Sequence, residues 1–200
     1  MHPFLPIRFG LFALIITLLG QKVSAQTNDI IRAKLDSPAL KKLINTRPPE
    51  WNVTNWFNSP ALTLKELRGK VVLVRWWTAP DCPYCRVTAP ALNEFHEKYS
   101  ARGLQVIGFY HHKGDEPLRI EDVKKFAKDF GFKFPVAIDP KWQTLHRWWL
   151  DRGDNAWTSV SFLIDRKGVI RHIHPGGEYV KGDSDYELMK KKIEELLAEK

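Results

Sequence analysis

The sequence has little sulfur: of its 200 residues only Cys82 and Cys85 are cysteines, and only two are methionines. No network of bridges can be built from one pair, so all of the thiol chemistry is committed to Cys82-Pro83-Tyr84-Cys85. The chain also lacks a long apolar run. Its longest, Phe9 to Gly20, would make a helix roughly 18 Å long at ~1.5 Å per residue, too short for a bilayer core of ~30 Å. No cysteine lies near Ala25, which excludes a lipoprotein anchor there. Blocks of one charge are missing too. The formal net charge is +8, but Lys124-Lys125 and Lys190-Lys191-Lys192 are short runs on predicted helices, read as solvated faces. Nucleic acid is therefore not an expected partner, and the charge supports only a mild preference for acidic surfaces. Finally, the eight tryptophans follow no repeat; they are expected as core residues or groove walls.

What is present begins with an address. Arg8, the apolar stretch from Phe9 and the small residues Val23-Ser24-Ala25 read as an export signal over residues 1–25, cleaved after Ala25. Retention as an N-terminal membrane anchor is the alternative. Residues 26–47 form a leader or linker with an amphipathic helical pattern interrupted near Pro38. The main domain is expected over residues 48–198, in an exported and periplasmic setting.

Export changes the meaning of the cysteines. Outside the cytosol an idle pair oxidises, and a structural disulfide is the default reading. A structural bridge gains most by closing a long loop, however, and this one closes almost none. The spacing favours a pair that opens and closes.

Hydrophobic periodicity gives the frame. Val71 to Trp76 is a continuous apolar run broken only by Arg75, a central strand. After the cysteines, Cys85, Ala89, Leu92, Phe95, His96 and Tyr99 recur at helical spacing, with Pro90 inside the helix as a kink. Leu104 to Tyr110 is the next strand. A helix over 119–130 and a short strand at Pro135–Ile138 follow, then a tryptophan-rich helix over 141–150. Val160–Ile164 and Val169–Ile173 form a hairpin turned at Arg166-Lys167-Gly168. The last helix starts with a capping box, Ser184 with Glu187. Alternating strands and helices predict an α/β protein, a sheet covered on both faces.

In this order the residues resemble the thioredoxin superfamily, specifically the exported thiol:disulfide oxidoreductases of the TlpA/ResA type and their AhpC/TSA-like relatives. The carriers are Arg68-Gly69-Lys70-Val71-Val72-Leu73-Val74 leading to Trp77, then Cys82-Pro83-Tyr84-Cys85, then Pro90, then Phe162-Leu163-Ile164-Asp165-Arg166-Lys167-Gly168. The resemblance implies a thioredoxin-like fold, a central mixed sheet with helices on both faces, and a TlpA-type central insertion over 113–140. It implies Cys82 as the nucleophile, Cys85 as the resolving thiol and Trp77, Pro83, Tyr84, Thr158 and Ser159 around the substrate groove. No cofactor beyond the Cys82–Cys85 disulfide is expected. The implied partners are protein thiols and disulfides and a membrane-bound electron donor, with reduction as the favoured direction.

The physics of the first turn agrees. A thiolate at a helix start faces unpaired N–H groups and the positive end of the helix dipole, and Pro83 suits the first helical position. Lowering a thiol pKa from ~8.5 to ~7 stabilises its anion by roughly 2 kcal/mol.

Three departures from the pattern stand out. Four residues, Thr78-Ala79-Pro80-Asp81, separate Trp77 from Cys82, one more than usual. Arg75 occupies the strand position where thioredoxin buries an acid; it either points outward or sets a cation near the thiols. Ser159 replaces a cis-proline, so a trans Thr158-Ser159 peptide is expected. Two rival readings follow. A peroxiredoxin-like thiol peroxidase would need a hydroxyl three residues before its cysteine, where Ala79 stands. A copper- or zinc-binding chaperone would use both thiolates with His111 and His112 or with His172 and His174, the latter pair sharing one strand face.

Overall fold

The computed structural model describes residues 38–199 apart from Thr54 and Asp154. The expected export signal (residues 1–25) and most of the expected leader lie outside the described residues. The leader's last turn is visible as a short helix, α1 (Pro38–Lys41), whose Leu40 is buried.

Six strands form one sheet: β1 (Trp56–Phe57), β2 (Val71–Trp77), β3 (Leu104–Tyr110), β4 (Val136–Ile138), β5 (Ser161–Ile164) and β6 (Ile170–His174). Their order is β1-β4-β3-β2-β5-β6. β2, β3 and β4 run parallel, while β1, β5 and β6 are antiparallel to their neighbours. The parallel core needs helical crossovers. These are α2 (Pro83–Tyr99) between β2 and β3 and α3 (Ile120–Asp129) between β3 and β4. α4 (Gln143–Trp148) precedes the β5–β6 hairpin, and α5 (Ser184–Ala198) follows it. The fold is the expected mixed sheet with helices on both faces.

Every side chain of β2 is buried, as expected of a strand covered on both sides. Val71, Leu73 and Trp77 join a core with Cys85, Leu92 and Phe95 of α2, Val123 and Ala127 of α3, and Met189 and Ile193 of α5. Val72, Val74 and Trp76 join a second core with Trp51, Phe109, Leu145, Trp148 and Phe162. Burying each large apolar side chain contributes roughly 1.5–3 kcal/mol.

Local chemistry shifts some boundaries. The predicted capping box of the last helix moves by one residue. Asp183 is the N-cap, its Oδ1 accepting the Tyr186 N–H at 2.6 Å, while the Glu187 N–H that Ser184 was expected to hold donates to the Asp183 backbone carbonyl at 3.1 Å. The tryptophan-rich helix shortens to α4, flanked by single 3₁₀ turns at Pro140–Trp142 and Leu150–Arg152. Among the described residues no helix is long and apolar enough to cross a membrane.

Candidate active site

Cys82 is the N-cap of α2. Its backbone is extended (φ −120°, ψ 93°), Pro83 takes the first helical position, and its Sγ accepts the Cys85 N–H at 3.2 Å. The cysteine thus fills the role normally played by a serine or aspartate oxygen. Cys82 and Cys85 are joined as a disulfide, their Cα atoms 5.3 Å apart. Cys82 keeps 9% of its surface exposed and Cys85 only 2%, so an incoming thiol meets Cys82 first. Pro90 sits two turns further inside α2, where it removes one N–H from the helical ladder.

The loop before β5 packs against this turn. Trp157 meets Tyr84 edge-on at 5.4 Å. It is held close to Gly176, where a Cβ would come within 2.4 Å of the Trp157 Cβ, at a φ of +129°. Thr158 is half-buried and Ser159 buried. The one cis peptide among the described residues is Ala79-Pro80, so Thr158-Ser159 is trans. Ser159 Oγ is tied to Gly177: it accepts the Gly177 N–H at 3.0 Å and lies 3.4 Å from the Gly177 carbonyl oxygen. Its hydroxyl is consumed in holding the loop.

The same carbonyl receives Arg75. The Arg75 side chain is wholly buried. Nη2 donates to the Gly177 oxygen at 2.7 Å and Nη1 to Ser161 Oγ at 3.3 Å, while Nε has no partner. The guanidinium lies over the Tyr179 ring at 5.2 Å. Of the two orientations the sequence left open, the outward one is ruled out. The cause is alternation in β2, which sends Arg75 to the same face as Leu73 and Trp77. Burial holds its pKa below the usual arginine value, although an arginine stays protonated in proteins. Among the described residues no carboxylate pairs with it.

Other expected positions fall elsewhere. Trp77 is not a groove wall. It is 1% exposed and packs against Tyr110, Phe130 and Phe132, and Gly108 on the neighbouring strand leaves room for its ring. His111 turns into the core against Trp142 at 5.1 Å, and burial drives its pKa down to about 3. His112 lies near the Tyr110 hydroxyl (3.3 Å) and the Glu116 carbonyl (2.6 Å). The two adjacent histidines therefore do not converge. His174 is buried beside Tyr179, its Nε2 3.6 Å from Asp185, while burial brings His172 to about 4. Among the described residues no three His, Cys, Asp or Glu side chains are grouped to hold a metal.

A groove of about 530 Å³ opens beside the dithiol turn, lined by Ala79, Pro80, Tyr110, Leu118, Val123 and Phe126, among others. Its far wall is the expected central insertion.

Residues 44–173 match the model of the AhpC/TSA family. The chain belongs to the AhpC/TSA family. Within the family's wider relatives it is 30% identical to Protein DipZ of Mycobacterium bovis over 182 residues, which is 90% of this chain but only 24% of DipZ. The chain thus spans about a quarter of DipZ's length. It is also 30% identical over 130 residues to the thiol-disulfide oxidoreductase ResA of Bacillus thuringiensis, covering 65% of this chain and 68% of ResA. Among solved structures, a thiol-disulfide isomerase from Corynebacterium glutamicum aligns with a TM-score of 0.61 and 31% identity, covering 78% of this chain and 99% of that one. The fold of this AhpC/TSA member is thioredoxin-like.

The sequence reading did not find Ser161, Gly177, Tyr179 or Trp157 as parts of the site. Gly177 stands 102 residues from Arg75, and only the register of β2, β5 and β6 brings them together. The one available signal was the Pro175-Gly176-Gly177 turn after β6.

Proposed function

We propose that this protein is an exported thiol:disulfide oxidoreductase that exchanges disulfides with protein substrates through Cys82 and Cys85. One observation carries the reading: a disulfide whose outer sulfur is the N-cap of a 17-residue helix. In the reduced protein the Cys82 thiolate attacks one sulfur of a client disulfide. A Cys82–client bond forms, and the client's other sulfur leaves as a thiolate and takes up a proton. The Cys85 thiolate then attacks Cys82, releasing the second client thiol and restoring the Cys82–Cys85 bond. The client gains two electrons and the dithiol loses two.

Several features support this sequence. The helix start favours the Cys82 anion. Cys85, nearly sealed from solvent, is shielded from bulk thiols yet one covalent step from Cys82. Tyr84 and Trp157 wall one side of the turn, and the apolar groove on the other side has space for client side chains flanking the attacked cysteine. Likeness to ResA supports the reducing direction, with electrons returned to the pair by a membrane-bound donor and no cofactor other than the disulfide itself. A peroxidase reading draws on the family description, but Ala79 has no hydroxyl to hold a peroxide oxygen, and disulfide exchange is preferred.

The test is reduction of insulin by the prereduced protein, regenerated with dithiothreitol. Wild type should accelerate it and Cys82→Ser should not, while Cys85→Ser should accumulate a mixed disulfide with the substrate. Undiminished reduction by Cys82→Ser, or rapid consumption of hydrogen peroxide without any disulfide exchange, would overturn the assignment.

A further inference from the structure

The buried guanidinium of Arg75 is unexplained by packing alone. Removing a full charge from water costs several kcal/mol unless an opposite charge answers it. Here Arg75 has two neutral acceptors, an aromatic face and an Nε with no acceptor. Cross-strand register places Arg75 in a row with Ser161, then His174, on one side and Gly108 on the other. The row faces α2, whose buried surface starts at Cys85, Thr88 and Ala89. Contact to that helix is direct from the next layer: Tyr179, beneath the guanidinium, donates its N–H to Thr88 Oγ1 at 3.3 Å, one turn past Cys85.

The ionisable groups around this row are few. Tyr179 comes from the loop after β6, His174 and His172 from β6, Asp183 and Asp185 from the start of α5 beside His174, and His111 from the end of β3. From α2 come the two cysteines. Burial keeps Tyr179 in its phenol form and His111 neutral near pH 7. Asp185, with Asp183, acts on His174 rather than on Arg75. The groups on this face whose charge changes on reduction are the sulfurs.

We propose that Arg75 is a positioning residue whose buried positive charge stabilises the thiolate of the reduced Cys82–Cys85 pair and so raises its reduction potential. The proposal rests on the dithiol-exchange reading above. In the oxidised protein both sulfurs are neutral and the cation is unanswered. On reduction, one charge appears on the sulfur pair across the same buried layer, where the low dielectric strengthens the attraction. A reductase carrying this arginine therefore works at a less negative potential than it would without it.

Equilibration with reduced and oxidised glutathione tests this. Two glutathione thiols are oxidised to one glutathione disulfide while the Cys82–Cys85 bond breaks and the protein gains two electrons. Arg75→Met should shift the equilibrium toward the protein disulfide by about tenfold, about 30 mV for a two-electron couple. A second measurement leaves Arg75 in place. In Cys82→Ser the lone Cys85 thiol, followed by thiolate absorbance, should ionise below the ordinary value of about 8.5, despite its burial. Equilibrium constants within twofold between wild type and Arg75→Met would overturn the proposal while leaving disulfide exchange intact, and so would a Cys85 that ionises at or above 8.5. A wild-type protein that does not equilibrate with glutathione at all overturns both.

Discussion

Arg75 and Trp76 are neighbours in β2 and face opposite sides of the sheet, and each side buries an ionisable group beside them. On the Trp76 side it is Asp139. Its carboxylate accepts the Trp76 indole N–H at 3.1 Å and the backbone N–H groups of Thr144 and Leu145, each at 2.8 Å. Around it Trp51, Trp76, Phe109, Trp148 and Phe162 form a continuous aromatic cluster with centroids 5.1–6.0 Å apart. That carboxyl is architecture, held by three N–H donors in the resting molecule. On the Arg75 side the Nε has no acceptor, and the layer between sheet and helix contains the two sulfurs. One face of the sheet holds the fold together; the other is arranged for a charge that comes and goes.

The comparison can be broken from either side. Trp76→Ala removes the centre of the aromatic cluster and should cost about 3–5 kcal/mol of stability, read from the denaturant midpoint, with the potential of the pair unchanged in the folded protein. A changed potential would mean that the faces are not independent. Asp139→Ala strands three buried donors and should cost about 1–3 kcal/mol for each one left without a partner, again without altering dithiol chemistry.

Acid sharpens the picture further. His111 and His172 stay neutral in the folded protein down to about 3 and about 4, whereas unfolded histidines take up protons near 6.5. Their folded values are depressed, so their contribution is complete above pH 6.5 and is lost as pH falls toward 4. Each costs about 1.4 kcal/mol per pH unit in that window. Urea unfolding at pH 7, 6 and 5 should show the decline, and His111→Phe should make it shallower. Asp183→Ala should cost about 1 kcal/mol as a lost helix cap. Ser184→Ala should cost little, because its hydroxyl does not cap α5; equal losses for both would return the cap to Ser184.

How much of this was legible in the sequence depended on range. The strands β2 and β3, the helix α2 and the dithiol at its start were readable, because local periodicity and the Cys-Pro-Tyr-Cys spacing carry them. The fate of Arg75 was not. An arginine in an apolar run can turn either way, and what settled it was strand alternation combined with acceptors from Ser161 and Gly177. Trp77 was misplaced for a related reason: the resemblance put it on the groove, whereas its side of β2 packs it against Tyr110, Phe130 and Phe132. Ser159 was correctly anticipated as a trans position, but its bond to Gly177 depended on a turn 18 residues away.

Limited alkylation of the freshly reduced protein, with each cysteine quantified separately by peptide mass spectrometry, bears most directly on the dithiol assignment. The account predicts that Cys82 carries the label first and that Cys85 remains largely unmodified while α2 is intact. Labelling of Cys85 first, or of both at the same rate, would contradict it.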